Sequence, residues 1–532
     1  MTAGPAEQPL DGRHFDAVVI GGGINGAGVA RDATLRGLSV CLFEKGDYAS
    51  GTSSRSTKIA HGGLRYLKHY EFGLVFESQR ERHVLGRLLP HLVWPQSFVY
   101  PVYDGDPDPL WKVHLGVAVY DLLAGLRNVE RHRRLSASEA VAANPGLRRE
   151  GLRGAVRYWD DRMDDARICL ENVLSAMQAG AVCRNYTEVL DIAREGSGYR
   201  VRYRECGPRP ASRPRGQGKE GSVTCQAVVN CGGPWGDEVA RLEGFEGRRL
   251  RPTKGVHIVV PRLPLDDALI LPTGPDDRVF FVIPWGDRSL IGTTDTPFDG
   301  DPDSVAVSPA DIDYLLSAAA RYLPAQPISR DAISFAYAGL RPLIAPTSER
   351  VSAGAISRRH AVFESKPAFL TLLGGKYTTY RHMAEHAVDR LVALPGRGKP
   401  RSPTKKAPFF RQTYPARPVM TDRLDLYRYL QGVYGPRAGE ALDFIGSDDR
   451  YTKPVVESSP VLIGQLAFAL AREEARTLRD LVERRTRLVW QPDFGTKEAH
   501  AAIDLIAPLL GDGIGRAREE ADALASAELW RP

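Results

Sequence analysis

Long apolar runs are the first thing this sequence lacks. No stretch reaches the roughly 18 apolar residues that a membrane-spanning helix needs, so any membrane contact is expected to be peripheral. Residues 1–12 are polar and hold no apolar signal core, and the cysteine usage points to a cytoplasmic setting. Cysteine is scarce as well. The six thiols are Cys41, Cys169, Cys183, Cys206, Cys225 and Cys231, none in C-x-x-C spacing. They read as reduced and structural, and no cysteine cluster has metal-ligand spacing. An excess of one charge is also missing: 71 basic residues face 65 acidic ones, for a net +6. That balance gives no nucleic-acid footprint, and it suits an anionic substrate or an anionic membrane surface. No internal repeat has a solenoid period. At 532 residues the chain exceeds one core, so two or three domains are expected.

What the chain does have is glycine placed with purpose. Phe15-Asp-Ala-Val-Val-Ile20 reads as a buried parallel strand that runs into Gly21-Gly22-Gly23 and then a helix from Ile24. Gly21, Gly23 and Gly26 match G-x-G-x-x-G, and a second strand, Leu38–Phe43, ends at Glu44. Strand, glycine turn, helix, strand and acid make a dinucleotide-binding unit. Gly21 permits the tight turn, Gly23 lets backbone approach a pyrophosphate, and Gly26 lets helix and strand pack. The diphosphate would sit on the helix N-terminus beside Gly22, Ile24 and Asn25, with Glu44 on the ribose and Lys45 next to it.

The segment Gly51 to Tyr66 packs hydroxyls, glycines, a histidine and cations into one stretch, close after the second strand. Thr52, Ser53 and Ser54 suit a diphosphate or a ring edge, and His61, Gly62, Gly63 and Leu64 suit a chain running flat against a ring. Two more glycine turns end strands: Gly232-Gly233-Pro-Trp235 and Gly374-Gly375, the latter leading into Lys376, Thr378 and a helix to about Leu394. His382-Met-Ala-Glu-His386 formally matches the H-x-x-E-H zinc pattern, but two ligands make no site, and an ordinary helix is the preferred reading. No metal is expected. Asp160-Asp161 and Asp164-Asp165 read as caps for the helix that follows. Trp111 to Leu126 is unusually apolar and is followed by Arg127, Arg131, Arg133 and Arg134, a pattern for a membrane-surface helix or a core-facing one. Arg472 to Trp490 reads as a second basic helix.

The ordered set of motifs resembles the FAD-dependent, quinone-linked glycerol-3-phosphate dehydrogenases of the aerobic type. It comprises Ile20 to Gly28, Thr52-Ser-Ser54, His61-Gly-Gly-Leu-Arg-Tyr66, Asp164-Asp-Ala-Arg167 and Lys254-Gly-Val-His257. It continues through Ile291-Gly-Thr-Thr-Asp295, Tyr337-Ala-Gly-Leu-Arg-Pro342 and Gly374-Gly-Lys-Tyr-Thr-Thr-Tyr-Arg381. The resemblance implies an α/β fold. It has a Rossmann-like FAD-binding domain, an antiparallel-sheet substrate domain as in D-amino-acid-oxidase-like flavoproteins, and a C-terminal α-helical cap. The expected division is a disordered tail at 1–13 and a discontinuous FAD domain at 14–105, 151–250 and 340–395. The substrate domain would take 106–150 and 251–339, with a linker at 396–418 and helices at 419–532.

The resemblance also implies FAD as cofactor, sn-glycerol 3-phosphate as substrate and a quinone as electron acceptor. It gathers Arg65, Tyr66, Arg341, Lys376 and His257 around the substrate. Removing a hydroxyl proton while hydride leaves needs a base or cations that favour the alkoxide, and a phosphate needs guanidinium or ammonium groups. Arg341, His257 and His61 are the catalytic candidates. Lys254, Thr294 and Asp295 are substrate-side candidates, Thr294 and Asp295 reading equally as a strand-ending turn. A peripheral position on the inner face of the cytoplasmic membrane and a homodimer are compatible with the pattern. Three other readings stand beside it: an oxidase of the same fold that uses oxygen, an amine or amino-acid oxidase, and a non-catalytic flavin-binding protein.

Overall fold

The computed structural model describes residues 9–207, 218–273, 279–346, 359–393, 400–415, 423–491, 497–509, 515 and 517–519. The first eight residues of the expected tail lie outside them.

The first strand, β1 (His14–Ile20), is followed by helix α1 (Ile24–Leu35) and strand β2 (Val40–Phe43). From Ala17 onward β1, and all of β2, are apolar on both faces because a parallel sheet is covered on both sides. β1 runs parallel to β2 and to Lys219–Asn230, with Ile20 opposite both Phe43 and Asn230. Phe369–Gly374 extends the sheet in the same direction beyond Lys219–Asn230, and Val182–Arg184 extends it beyond β2. The carboxyl ends of these strands therefore share one edge, where open α/β sheets bind ligands. Helix α1 packs against Asp165–Gln178 and against Tyr380–Val392. At Gly28 a Cβ would lie 2.9 Å from the Tyr380 ring, so glycine sets that approach.

The second sheet is antiparallel except where Ala268–Pro272 meets Val93–Tyr103. Towards one edge Thr253–Pro261 pairs with Arg288–Gly292 and with Phe335–Arg341. The expected domain division differs here. Val93–Tyr103 and Leu152–Met163, assigned to the FAD domain by their place in the chain, pair with each other inside the second sheet. Their long mutual ladder, with Val93 opposite Met163, decides their membership.

Two other expectations are corrected. The end of the tail is anchored, since Leu10 is buried and Asp11 accepts a bond from the Ser222 N–H at 2.7 Å. The described part of the linker is packed: Arg31 donates to the carbonyls of Ala407 and Pro408, and its guanidinium lies 4.0 Å from the centre of the Phe409 ring. The C-terminal region shares a core with the second sheet, joining Leu466, Leu481 and Trp490 to Tyr66, Phe98 and Tyr337.

Candidate active site

A cleft of about 1110 Å³ runs from the glycine turn after β1 to the strands Thr253–Pro261 and Phe335–Arg341 of the second sheet. At one end Gly21 has φ +107°, and a Cβ there would meet the Cys231 carbonyl oxygen at 2.5 Å. A Cβ at Gly26 would meet the Gly21 oxygen at 1.9 Å, so α1 starts hard against the turn. Gly23 caps α1 without a side chain, leaving the N-terminal N–H groups facing the cleft beside Ile24 and Asn25. The Ile24 N–H is taken by the Ser53 hydroxyl at 2.8 Å. Glu44 accepts from the N–H groups of Gly22 at 2.6 Å and Gly46 at 2.7 Å, and its burial pushes the carboxyl above its ordinary range.

Further along the wall stand Thr52, Ser53, Ser54, His61, Gly374, Gly375, Lys376 and Thr378. Thr52 is fixed by its bond to the Leu340 carbonyl at 2.6 Å, and the His61 N–H donates to the Thr378 hydroxyl at 3.1 Å. The Lys376 ammonium lies over the Tyr66 ring, 4.4 Å from its centre. Gly232, Lys45 and Trp235 line the cleft at the Gly21 end, where a Cβ on Gly21 would lie 3.2 Å from the Gly232 nitrogen. There Lys45 and the Trp235 indole both bind Asp303, at 2.8 and 3.1 Å, across the mouth.

Arg341 ends its strand on the wall of the cleft. Its guanidinium donates to Asp295 at 3.0 Å, to the Thr293 hydroxyl at 2.9 Å and to the Thr294 carbonyl at 3.1 Å. His257 stacks on Tyr337 with ring centres 5.0 Å apart, and its Nε2 lies 2.9 Å from the Thr57 hydroxyl. Burial, helped by the Arg341 and Lys58 cations, pushes the imidazole well below its ordinary range and keeps it neutral. Its Nδ1 is buried without a hydrogen-bond partner in the protein. A glycine-built anion cradle, a half-buried carboxylate at Glu44 and an orphaned imidazole nitrogen, joined by one cleft, fit a flavin dinucleotide with a substrate beyond its ring.

Several sequence candidates sit elsewhere. Gly22, Gly26, Gly62, Gly63 and Leu64 shape the turns behind the wall. The Gly62 N–H is held by the Tyr120 hydroxyl at 2.7 Å, and Gly63 has φ +86°. Lys254 is turned away from the cleft, because strand neighbours alternate and Gly255 and His257 take the cleft face. Its ammonium pairs with Asp311 at 2.6 Å. Thr294 and Asp295 act behind Arg341: the Thr294 hydroxyl accepts from the Val256 N–H, and Asp295 holds the guanidinium. The Arg65 side chain lies outside the described residues.

Other expectations need correction. Asp164 caps the helix Asp165–Gln178, but Asp160 instead binds the Tyr120 hydroxyl and Arg82, and burial pushes it up to about 6. His382 pairs with Glu77 at 3.0 Å, and His386 lies 3.1 Å from His360. Among the described residues no group of three or more such side chains is arranged to hold a metal ion. The stretch Arg472 to Trp490 is not one helix: a helix ends at Arg472, and short helical turns follow at Asp480–Arg485 and Leu488–Trp490, with Arg484 and Arg485 buried in ion pairs.

The cleft also contains residues that sequence reading passed over. Arg55, Thr57 and Lys58 fall inside the segment already singled out, and Tyr337 begins the motif that ends in Pro342. Tyr186 and Thr187 carried no pattern that would reveal them, and Arg479, Glu483, Arg487 and Trp490 fall in the Arg472–Trp490 stretch, which showed only its basic character.

Comparison with known proteins agrees with this geometry. The FAD dependent oxidoreductase family matches residues 16–381, and the C-terminal domain of alpha-glycerophosphate oxidase matches residues 370–514. A glycerol-3-phosphate dehydrogenase of Synechocystis sp. is 37% identical over 96% of this chain and 94% of its own. Glycerol-3-phosphate dehydrogenase 2 of Mycobacterium tuberculosis is 38% identical, over 96% of this chain and 88% of its own. The solved structure of the glycerol-3-phosphate dehydrogenase from Bacillus halodurans complexed with FAD superposes with a TM-score of 0.74. It is 26% identical and covers 98% of this chain and 95% of its own.

Proposed function

The chain belongs to the FAD-dependent oxidoreductase family, among its glycerol-3-phosphate dehydrogenases, and from that premise we propose that it oxidises sn-glycerol 3-phosphate to dihydroxyacetone phosphate and hands the electrons to a quinone. FAD, when bound, supplies the acceptor for the hydride. The chain's own residues do the rest. Gly21 to Gly26, Glu44 and Thr52 to Ser54 hold the dinucleotide end. Arg341 and Lys376 bring positive charge to the substrate, favouring both its phosphate and the developing alkoxide. His257, neutral by burial, takes the hydroxyl proton at its imidazole. Tyr66 and His61 complete the wall on which the substrate lies.

One observation supports this reading above the others: Arg341, Lys376 and a neutral His257 line one cleft that continues into the dinucleotide cradle. A general redox fold needs no such cationic end; a phosphorylated alcohol does.

A quinone implies access to a membrane. Helices α2 (Phe72–Leu88) and α3 (Leu110–Ala124) pack together and expose Phe72, Phe76, Trp111, Leu115 and Leu122. Trp111 is 64% exposed and Leu122 78%. Arg127, Arg131, Arg133 and Arg134 follow α3. We assign this face to peripheral contact with the inner face of the cytoplasmic membrane. Among the described residues no helix is long and apolar enough to cross a membrane.

The test is a spectrum taken before and after anaerobic glycerol 3-phosphate, followed by rapid mixing with a quinone analogue or with air. Bleaching by glycerol phosphate and fast reoxidation by quinone are expected. Rapid peroxide release in air identifies an oxidase, and bleaching by glycine or sarcosine an amine oxidase.

A further inference from the structure

The C-terminal region does more than cap the molecule. Its short π-helix, Asp480–Arg485, sits behind the adenosine end of the cleft. A π-turn widens the helix so that Asp480, Arg484 and Arg485 reach one side. Arg484 Nε donates to Asp47 at 2.6 Å, and Arg485 grips the same carboxylate with two nitrogens at 2.8 and 2.9 Å. Asp47 belongs to the loop after β2 that carries Glu44. Burial alone would raise its carboxyl; the two guanidiniums outweigh that and bring it to about 2. Arg484 also donates to Asp480 at 2.5 Å, and Asp480 accepts the Tyr186 hydroxyl at 2.7 Å.

Tyr186 returns to the same loop by its backbone. Its N–H donates to the Gly46 carbonyl at 2.8 Å, and the next N–H, of Thr187, donates to the Glu44 carbonyl at 2.8 Å. Glu44, Lys45, Gly46, Tyr186 and Thr187 all line the cleft, whereas Asp47 stands behind them. The same C-terminal stretch places Arg479 and Glu483 on the cleft wall.

We propose that Arg484 and Arg485 are positioning residues for the cofactor: through Asp47 and Tyr186 they fix the loop that receives the adenosine ribose, so docking of the C-terminal region sets FAD affinity. This rests on the FAD reading of the cleft. The physical reason is that a buried carboxylate with two guanidiniums has one favourable geometry, and removing a partner leaves an uncompensated charge that drives the loop to rearrange.

The experiment strips the purified full-length protein of flavin and titrates it with FAD, following flavin fluorescence. Wild type is compared with Asp47→Asn, Tyr186→Phe and Arg157→Met, and the melting temperature of each apoprotein is recorded. Arg157 pairs with Asp267 in the second sheet, touches neither Arg484 nor Arg485, and serves as the control for a merely structural ion pair. The expected result is that Asp47→Asn weakens FAD by at least about tenfold. Tyr186→Phe, a milder change that keeps the fold, weakens it by a smaller factor. Arg157→Met lowers the apoprotein melting temperature and leaves the FAD dissociation constant alone. Wild-type affinity in both Asp47→Asn and Tyr186→Phe overturns the proposal, as does an equal weakening in Arg157→Met. Failure of wild type to bind FAD at all would instead refute the cofactor reading.

Discussion

Asp295 holds Arg341 from behind the cleft, with Arg341 Nη1 donating to the carboxylate at 3.0 Å. The pair is largely shielded, and the Thr293 hydroxyl and Thr294 carbonyl take the other guanidinium nitrogen. Arg341 is thus aimed before substrate arrives. Arg341→Ala is expected to lower kcat/KM by about 10²–10³ while the flavin spectrum is kept. Asp295→Asn retains the hydrogen bond and loses the charge, so its loss should be smaller. Steady-state kinetics on flavin-loaded protein check both.

His257 gives a pH prediction. A histidine with an ordinary pKa becomes protonated near pH 6.5 and would lose base function there. Burial and the neighbouring cations depress His257, so its unprotonated form persists at lower pH. The acid limb of kcat/KM should therefore fall below pH 6.5. Thr57→Val removes the hydroxyl at Nε2 and frees the ring to change tautomer and tilt. A lower kcat, with KM for glycerol 3-phosphate little changed, is the expected result.

Acid should loosen the C-terminal region. The carboxyls of Asp47 and Glu473 are brought down to about 2 by their arginines, against the opposing effect of burial. A depressed carboxyl adds stability that is present above its unfolded pKa of about 4 and is lost as pH falls towards 2. Flavin release should accompany that loss. Flavin fluorescence and near-ultraviolet circular dichroism, followed together from pH 5 to 2, report the two events.

The mouth of the cleft carries a strap. Lys45 and Trp235 on one side both bind Asp303 on the other, and residues 302–307 line the cleft beneath. The ion pair is half-exposed and open to screening by salt. Asp303→Asn should speed FAD dissociation by about two- to fivefold, and high ionic strength should do the same to wild type. Stopped-flow dissociation into an excess of an FAD-binding apoprotein as trap measures it.

Much of the dinucleotide end was legible in the chain. A turn that tolerates no Cβ at Gly21 or Gly26 requires glycine, and a strand buried on both faces requires an unbroken apolar run such as Ala17 to Ile20. These are local demands, so they leave local marks. Arg341, Lys376 and His257 were legible through the motifs around them. Lys254 was misread because it shares a motif with His257, and only the pleat of the paired strand shows that the two side chains face opposite ways.

The sequence by itself determined the cofactor class and the order of the strands and turns, since each depends on neighbours a few residues apart, and it offered candidate cations for the substrate. Only the tertiary structure decided which of those cations reach the cleft. It also moved Val93–Tyr103 and Leu152–Met163 into the second sheet, and it brought Arg484 and Arg485 to Asp47. A buried carboxylate and guanidiniums more than four hundred residues away carry no periodicity or spacing, because what selects them is the free energy of leaving either charge unpaired.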